Sequence, residues 1–242
     1  MDDFSSRLAR IHDAIAVAAQ KAGRDPGEIE LLAVSKTQPA EAIQEAMRAG
    51  ITHFGENKVQ EARGKIETLG RGVWHLVGHL QSNKARDAVR LFDSIDSVDR
   101  AELAGEINHR AEALGKSQDV LLQVNIAGES TKFGCDPEAA HALAEAINAL
   151  PRLCLRGLMT IAPYSPEPEK SRPHFASLRE LRDKIEGGSG LRLPVLSMGM
   201  SGDFAVAIEE GSTCIRIGTA LFGERVKLKN RRPEDPSFTE ST

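Results

Sequence analysis

Cysteine is scarce in this chain. Cys135, Cys154 and Cys214 are the only three, an odd count without a CxxC. Neither a disulfide framework nor a zinc site is expected, and all three read as reduced, mostly packed thiols. Positive charge is not in excess either. A net charge of −4 weighs against nucleic acid and membrane surfaces as partners, since both attract basic faces. No apolar run approaches the roughly 20 residues that span a bilayer. The N-terminus, "MDDFSSRLARIHDAIAVAAQKAGRD", lacks the basic start and apolar centre of a signal peptide, so a cytoplasmic location is expected. No GxGxxG follows a strand-like run, which argues against a dinucleotide fold. His53, His75 and His79 share no i, i+4 spacing and have no nearby cysteine, so they read as core or rim histidines and no metal ligand is expected.

What is present is alternation. The chain has 242 residues, 40% hydrophobic, enough for a core that needs no covalent staple. Eight strand-like runs recur: "LLAVSK" from Leu31, "THFGEN" from Thr52, "VWHLVG" from Val73, "LFDSIDSV" from Leu91, "VLLQVNI" from Val120, "LRGLMTIA" from Leu155, "VLSMGMS" from Val195 and "CIRIGTALFG" from Cys214. Helix-like runs lie between them. "PAEAIQEAMRAG" carries Pro39 in its first turn and stops at Gly50; "DPEAAHALAEAINAL" opens on Asp136 and Pro137; "SRPHFASLRELRDKI" places Phe175, Leu178, Leu181 and Ile185 on one face. Such alternation implies parallel strands covered by helices. Eight units predict a single α/β (β/α)8 TIM-type barrel with an extra N-terminal helix, about Phe4 to Ala22; a doubly wound open sheet is the alternative. Residues 1–226 read as this one domain and 227–242 as a polar, disordered tail. Within that tail, "KLKNRR" is either a solvated face or an exterior anion site; "RGKIETLGRG" reads as a solvated face.

Function in such barrels gathers at the C-terminal ends of the strands. The polar and small residues expected there are Lys36, Asn57, Gly78–His79, Asp96–Ser97, Asn125, Met159–Thr160, Ser201–Gly202, and Arg216 with Gly218–Thr219. A lysine closing an apolar strand is either a rim residue with a packed stem or an amine whose desolvation makes it a nucleophile toward aldehydes. Ser201–Gly202 and Gly218–Thr219 follow the seventh and eighth strands, where barrels often bind phosphate. Arg216 shares a strand face with Gly218 and needs an acceptor in the barrel mouth; a buried salt bridge to Glu56 or Asp96 would provide one.

Lysine, phosphate loops and arginine together suggest pyridoxal 5′-phosphate (PLP): a Schiff base on Lys36, phosphate at Ser201 and Thr219, and ring nitrogen at Arg216. An arginine there disfavours ring protonation and weakens the cofactor as an electron sink. The stretches "AVSKTQP", "FGENKVQEA", "WHLVGHLQSNK", "GLMTIAP", "SMGMSGDF" and "IRIGTALFGER" together resemble the pyridoxal phosphate homeostasis protein family, itself similar to the barrel domain of fold-type III alanine racemases. The resemblance runs from about Leu31 to Arg225. It implies Lys36 as the Schiff-base lysine, Ser201, Gly202, Gly218 and Thr219 around the phosphate, Arg216 at the ring nitrogen, and Asn57 and Met159 lining the pocket. Lys58 departs from the family's pattern, where an aromatic is expected.

The resemblance implies PLP buffering or delivery to apo PLP-dependent enzymes, without strong catalysis. Racemases of this fold use a second base, a tyrosine from a β-rich domain through which they also dimerise. No such domain is read here, so a monomer is expected, and Tyr164, the one tyrosine, falls in the proline-rich loop 162–173. A PLP-dependent amino-acid racemase and a Schiff-base aldolase are the alternatives.

Overall fold

The computed structural model describes residues 3–70, 72–129 and 131–223; the expected tail and its "KLKNRR" stretch lie outside them. Eight parallel strands close into a barrel in sequence order: β1 (Glu30–Val34), β2 (His53–Glu56), β3 (Val73–Leu76), β4 (Ser94–Val98), β5 (Gln118–Gln123), β6 (Leu153–Met159), β7 (Val195–Met200) and β8 (Cys214–Ile217). β8 pairs with β1, Leu32 beside Arg216, and so completes the ring. Parallel neighbours need a crossover, and helices supply it. These are α2 (Ala40–Arg48), α3 (Val59–Leu69), α4 (Ala85–Leu91), α5 (Ala101–Ala113), α6 (Ala140–Asn148), α7 (Arg172–Ser189) and α8 (Phe204–Glu209); α9 (Thr219–Phe222) follows β8.

Strand alternation sorts the side chains into two sets. Ala33, Phe54, Trp74 and Ile95 belong to the main core shared with the helices, with the Phe54 and Trp74 rings 5.1 Å apart. Burying a side chain such as Phe54 or Ile95 contributes about 1.5–3 kcal/mol. The register puts Leu32, Gly55, His75 and Arg216 on the other set, facing the barrel axis.

The extra N-terminal helix α1 (Phe4–Lys21) is capped by Asp3, whose carboxylate accepts the Ser6 N–H at 2.8 Å. It packs against α8 and α9. Phe4 meets Phe222, Arg7 donates to the Leu221 carbonyl at 2.7 Å, and Arg24, just beyond the helix, donates to the carbonyls of Ile208 and Ser212. α8 and α9 are only six and four residues long, so α1 supplies cover that their own length does not.

Several boundaries differ from the sequence reading. β1 ends at Val34, so Lys36 sits in the following turn rather than on the strand. Leu91 still belongs to α4, and β4 starts three residues later. Pro39 is the N-cap of α2, one position before its first turn, and Asp136–Pro137 open a short 3-10 turn ahead of α6. In α7, Phe175, Leu178 and Ile185 are buried as the spacing predicts.

Candidate functional site

The turn after β1 is held from beneath. Ser35 is fully buried; its N–H donates to the Gly55 carbonyl at 2.9 Å and its hydroxyl to Glu56 Oε1 at 2.6 Å. Lys36 follows, half-buried. Thr37 then adopts φ 64°, a left-handed conformation unfavourable for a β-branched residue, and its N–H donates to Glu61. The ammonium of Lys65 ties these parts together. It donates to the Ser35 carbonyl (2.7 Å), Glu56 Oε1 (2.6 Å) and Glu61 Oε1 (2.7 Å). Burial pushes the Glu56 carboxyl up, against the hydrogen bonds from Lys65 and Ser35. Partial burial also acts upward on Glu61, but the bonds from Lys65 and the Thr37 N–H outweigh it and hold that carboxyl low. Lys65 is only 9% exposed, which corrects the reading of "RGKIETLGRG" as a solvated face: a helix residue four beyond Glu61 reaches inward to Glu56.

Beside this turn stand the loops after β7 and β8. Gly199, at φ 92°, bends the end of β7; a β-carbon there would lie 2.5 Å from that of Ala207. Asp203 then folds back, accepting the Met200 N–H at 2.7 Å on one oxygen and the Ser171 hydroxyl at 3.1 Å on the other. The Ala220 N–H donates to Ser201 Oγ at 3.3 Å, joining the two loops. Arg216 is 4% exposed, and its guanidinium donates to Ser197 Oγ (2.8 Å) and the Thr160 carbonyl (2.7 Å). Burial pulls its pKa below the ordinary value, against the charges of Asp96 and Asp203. The salt bridge to Glu56 or Asp96 entertained from sequence is not formed, because Glu56 is bonded to Lys65 and Asp96 to His75.

Seven of the eight sequence-predicted site residues meet in one cavity of about 310 Å³ at the barrel mouth: Lys36, Asn57, Ser201, Gly202, Arg216, Gly218 and Thr219. Met159 is the exception. It is fully buried at the end of β6, beside Ser197 in the register, and does not line the cavity. Val34, Val77 and Ile161 give the cavity apolar walls, and Tyr164 stands at its edge, 91% exposed. Asp203 is the one carboxylate among the lining residues, and both its oxygens are engaged by the chain. The remaining polar lining offers an amine, a guanidinium, an amide and hydroxyls, a set suited to an anion. Lys58 is exposed outside this lining.

The other strand-end candidates go elsewhere. Ser97 donates to the Gly78 carbonyl, Asn125 to the Glu129 carbonyl, and His79 stacks on Phe133 at 3.8 Å. Asp96 lies inside β4 and pairs with His75 toward the opposite end of the barrel. The three cysteines are free thiols; burial pushes Cys135 up to about 12 and Cys214 well above its ordinary value. Sequence reasoning missed the Lys65 network, although Glu61 and Lys65 stand at the i, i+4 spacing of a helical ion pair.

A family model for the alanine racemase N-terminal domain matches residues 7–226. The molecule is therefore a barrel of the alanine racemase N-terminal class. It is 48% identical over 221 residues to the pyridoxal phosphate homeostasis protein of Aquifex aeolicus (strain VF5), covering 90% of this chain and 97% of that one. With its Pseudomonas aeruginosa counterpart it shares 47% identity over 227 residues, covering 93% and 97%. The chain belongs to the pyridoxal phosphate homeostasis protein family. The solved structure of PipY from Synechococcus elongatus PCC7942 with PLP bound matches at TM-score 0.80 and 41% identity, covering 91% of this chain and all of that one. Alanine racemase from Clostridium difficile 630 matches at TM-score 0.74 and 16% identity, covering 93% of this chain and 58% of the racemase, a likeness of fold alone.

Proposed function

We propose that this protein holds pyridoxal 5′-phosphate reversibly on Lys36 as a Schiff base. It would buffer the reactive vitamin inside the cell and pass it to apo PLP-dependent enzymes. One observation carries the reading: Lys36, Ser201, Arg216 and Thr219, drawn from the ends of three strands, line a single cavity whose only carboxylate is already satisfied. The names of its relatives and the PLP bound to PipY support it.

When bound, the cofactor supplies a carbaldehyde that condenses with a primary amine and releases water. Lys36 would give that amine. The hydroxyls of Ser201 and Thr219 and the backbone at Gly202 and Gly218 would receive the phosphate. Asn57 would hold the ring from the side, with Met159 supporting the floor beside Ser197. Arg216 would donate to the ring nitrogen and so disfavour its protonation, which leaves a carbanion poorly stabilised. Tyr164, at the edge of the cavity, is 91% exposed, which supports a carrier over a two-base racemase. We take the carrier to act as a cytoplasmic monomer, a point that light scattering on the purified chain checks.

Borohydride reduction of the loaded protein, followed by intact-mass analysis and peptide mapping, tests this reading. One adduct on the Lys36 peptide is expected; an adduct elsewhere, or none, overturns it. Lys36→Ala should lose the adduct yet keep weak phosphate-dependent binding. Incubation with L- and D-amino acids in heavy water should give little exchange at Cα, whereas rapid exchange would favour catalysis and count against the carrier.

A further inference from the structure

A second polar cluster occupies the other end of the barrel. Glu30 opens β1, His53 opens β2 and His75 lies within β3. Strand pairing places all three on the axis-facing side: His53 is opposite Val73, His75 opposite Gly55, and Glu30 beside Cys214 of β8. One ligand atom from each of Glu30, His53 and His75 lies within 4.8 Å of the other two. They line a cavity of about 220 Å³ that shares no residue with the mouth.

The partners of these three are arranged as for ligands. His75 Nδ1 donates to Asp96 Oδ2 at 3.0 Å, and Asp96 accepts in turn from the Ser94 hydroxyl. The other ring nitrogen, Nε2, is buried with no hydrogen-bond partner. His53 Nδ1 lies 3.1 Å from the Thr52 hydroxyl, and its Nε2 lies 3.4 Å from Glu30 Oε2. Glu30 Oε1 lies 3.6 Å from Cys214 Sγ. Metal-bound imidazoles commonly have the other ring nitrogen held by a carboxylate or another oxygen, as both are here. Two donors on one tetrahedral zinc stand about 3.3 Å apart, given bonds of about 2.0–2.1 Å. The 3.4 Å contact matches that spacing. The Glu30 side chain is partly exposed, and the ligand atoms of all three residues already lie within 4.8 Å of one another. Charge favours a cation too: Asp93, Asp96 and Asp119 join Glu30 around the cavity, against Arg156 alone.

We propose that Glu30, His53 and His75 form a site for a transition-metal dication, zinc by ligand type, at the N-terminal end of the barrel. Two imidazoles and a carboxylate suit zinc, and the cavity has room for water as a fourth ligand. The metal would join β1, β2 and β3. Parallel pairing explains how residues without a common helical spacing converge.

The test uses the full, tag-free chain, stripped with chelator and titrated calorimetrically with Zn²⁺, with and without PLP. One equivalent should bind in both cases, and the melting temperature should rise with free Zn²⁺. Co²⁺ in its place should give the strong visible bands of a tetrahedral site. His53→Gln and His75→Gln should each abolish stoichiometric binding. Asp96→Asn, which alters only the group behind His75, should weaken it about 10–100-fold. No stoichiometric binding by the unsubstituted chain overturns the proposal, as does binding that survives both histidine substitutions. The first outcome needs no variant, so a misfolded substitution cannot rescue the idea. Retention of PLP in the same samples separates failure here from failure at the mouth.

Discussion

The Lys65 ammonium sits 2.7 Å from the carbonyl oxygen of Ser35, the residue that precedes Lys36. A buried cation on α3 thus fixes the position of the turn that carries Lys36, while Glu56 and Glu61 balance its charge. Removing one member of such a buried network leaves another uncompensated. Lys65→Met should lower unfolding free energy by about 3–5 kcal/mol, measured by urea denaturation. The double variant Lys65→Met, Glu56→Gln should recover part of that loss, since the stranded carboxylate is gone. Purely additive losses would count against the network.

Gly78 and Asn57 set a second expectation. A β-carbon on Gly78 would stand 2.3 Å from the Asn57 carbonyl oxygen, a clash with backbone that no rotamer relieves. Gly78→Ala should therefore displace Asn57 from the cavity and cost about 1–3 kcal/mol, the range for overpacking. PLP should be released faster from this variant in a competition assay with an apo-enzyme. Gly64→Ala, at a helical glycine with nothing near its would-be β-carbon, is the control and should be neutral or slightly stabilising.

Arg216 answers to two acceptors. Arg216→Lys keeps a charge but cannot fork to both Ser197 and Thr160. A loss of about 1–3 kcal/mol in stability is expected from the acceptor left unsatisfied, together with weaker cofactor retention. Urea denaturation and the absorbance of the bound vitamin report the two effects separately.

Acid should loosen the turn through Glu61. Its folded-state pKa lies below the ordinary 4.5, so the ionised form favours the folded state. That contribution is complete above pH 4.5 and is lost as pH falls through the lowered value. Glu56 runs the other way: with its pKa raised by burial, its contribution declines as pH climbs above 4.5. Glu61→Gln should flatten the acid limb of a plot of melting temperature against pH. An unchanged limb would assign acid sensitivity to other carboxylates.

Much of this was legible in the sequence because parallel barrels repeat one simple pattern. Strand, loop and helix recur with apolar runs and turn signals, and all eight strands fall within or beside the stretches that periodicity marks. Lys36, Ser201, Arg216 and Thr219 could be placed at the mouth because strand order alone fixes which end they occupy. The features that escaped depend on which face of an element a residue takes. Lys65 looks solvated until α3 is seen to lean on β2. His53 and His75 share no helical spacing, and only the pairing of β2 with β3 brings them together. Met159 belonged to the right strand, but its side chain is fully buried and does not line the cavity.

The closure of β8 onto β1 governs when the mouth cavity is completed during synthesis. β8 leaves the ribosome after the other seven strands, and it carries Arg216 and leads into Gly218 and Thr219. Lys36, which lines the same cavity, is made among the first. The mouth cavity is therefore complete only once translation has passed the last strand.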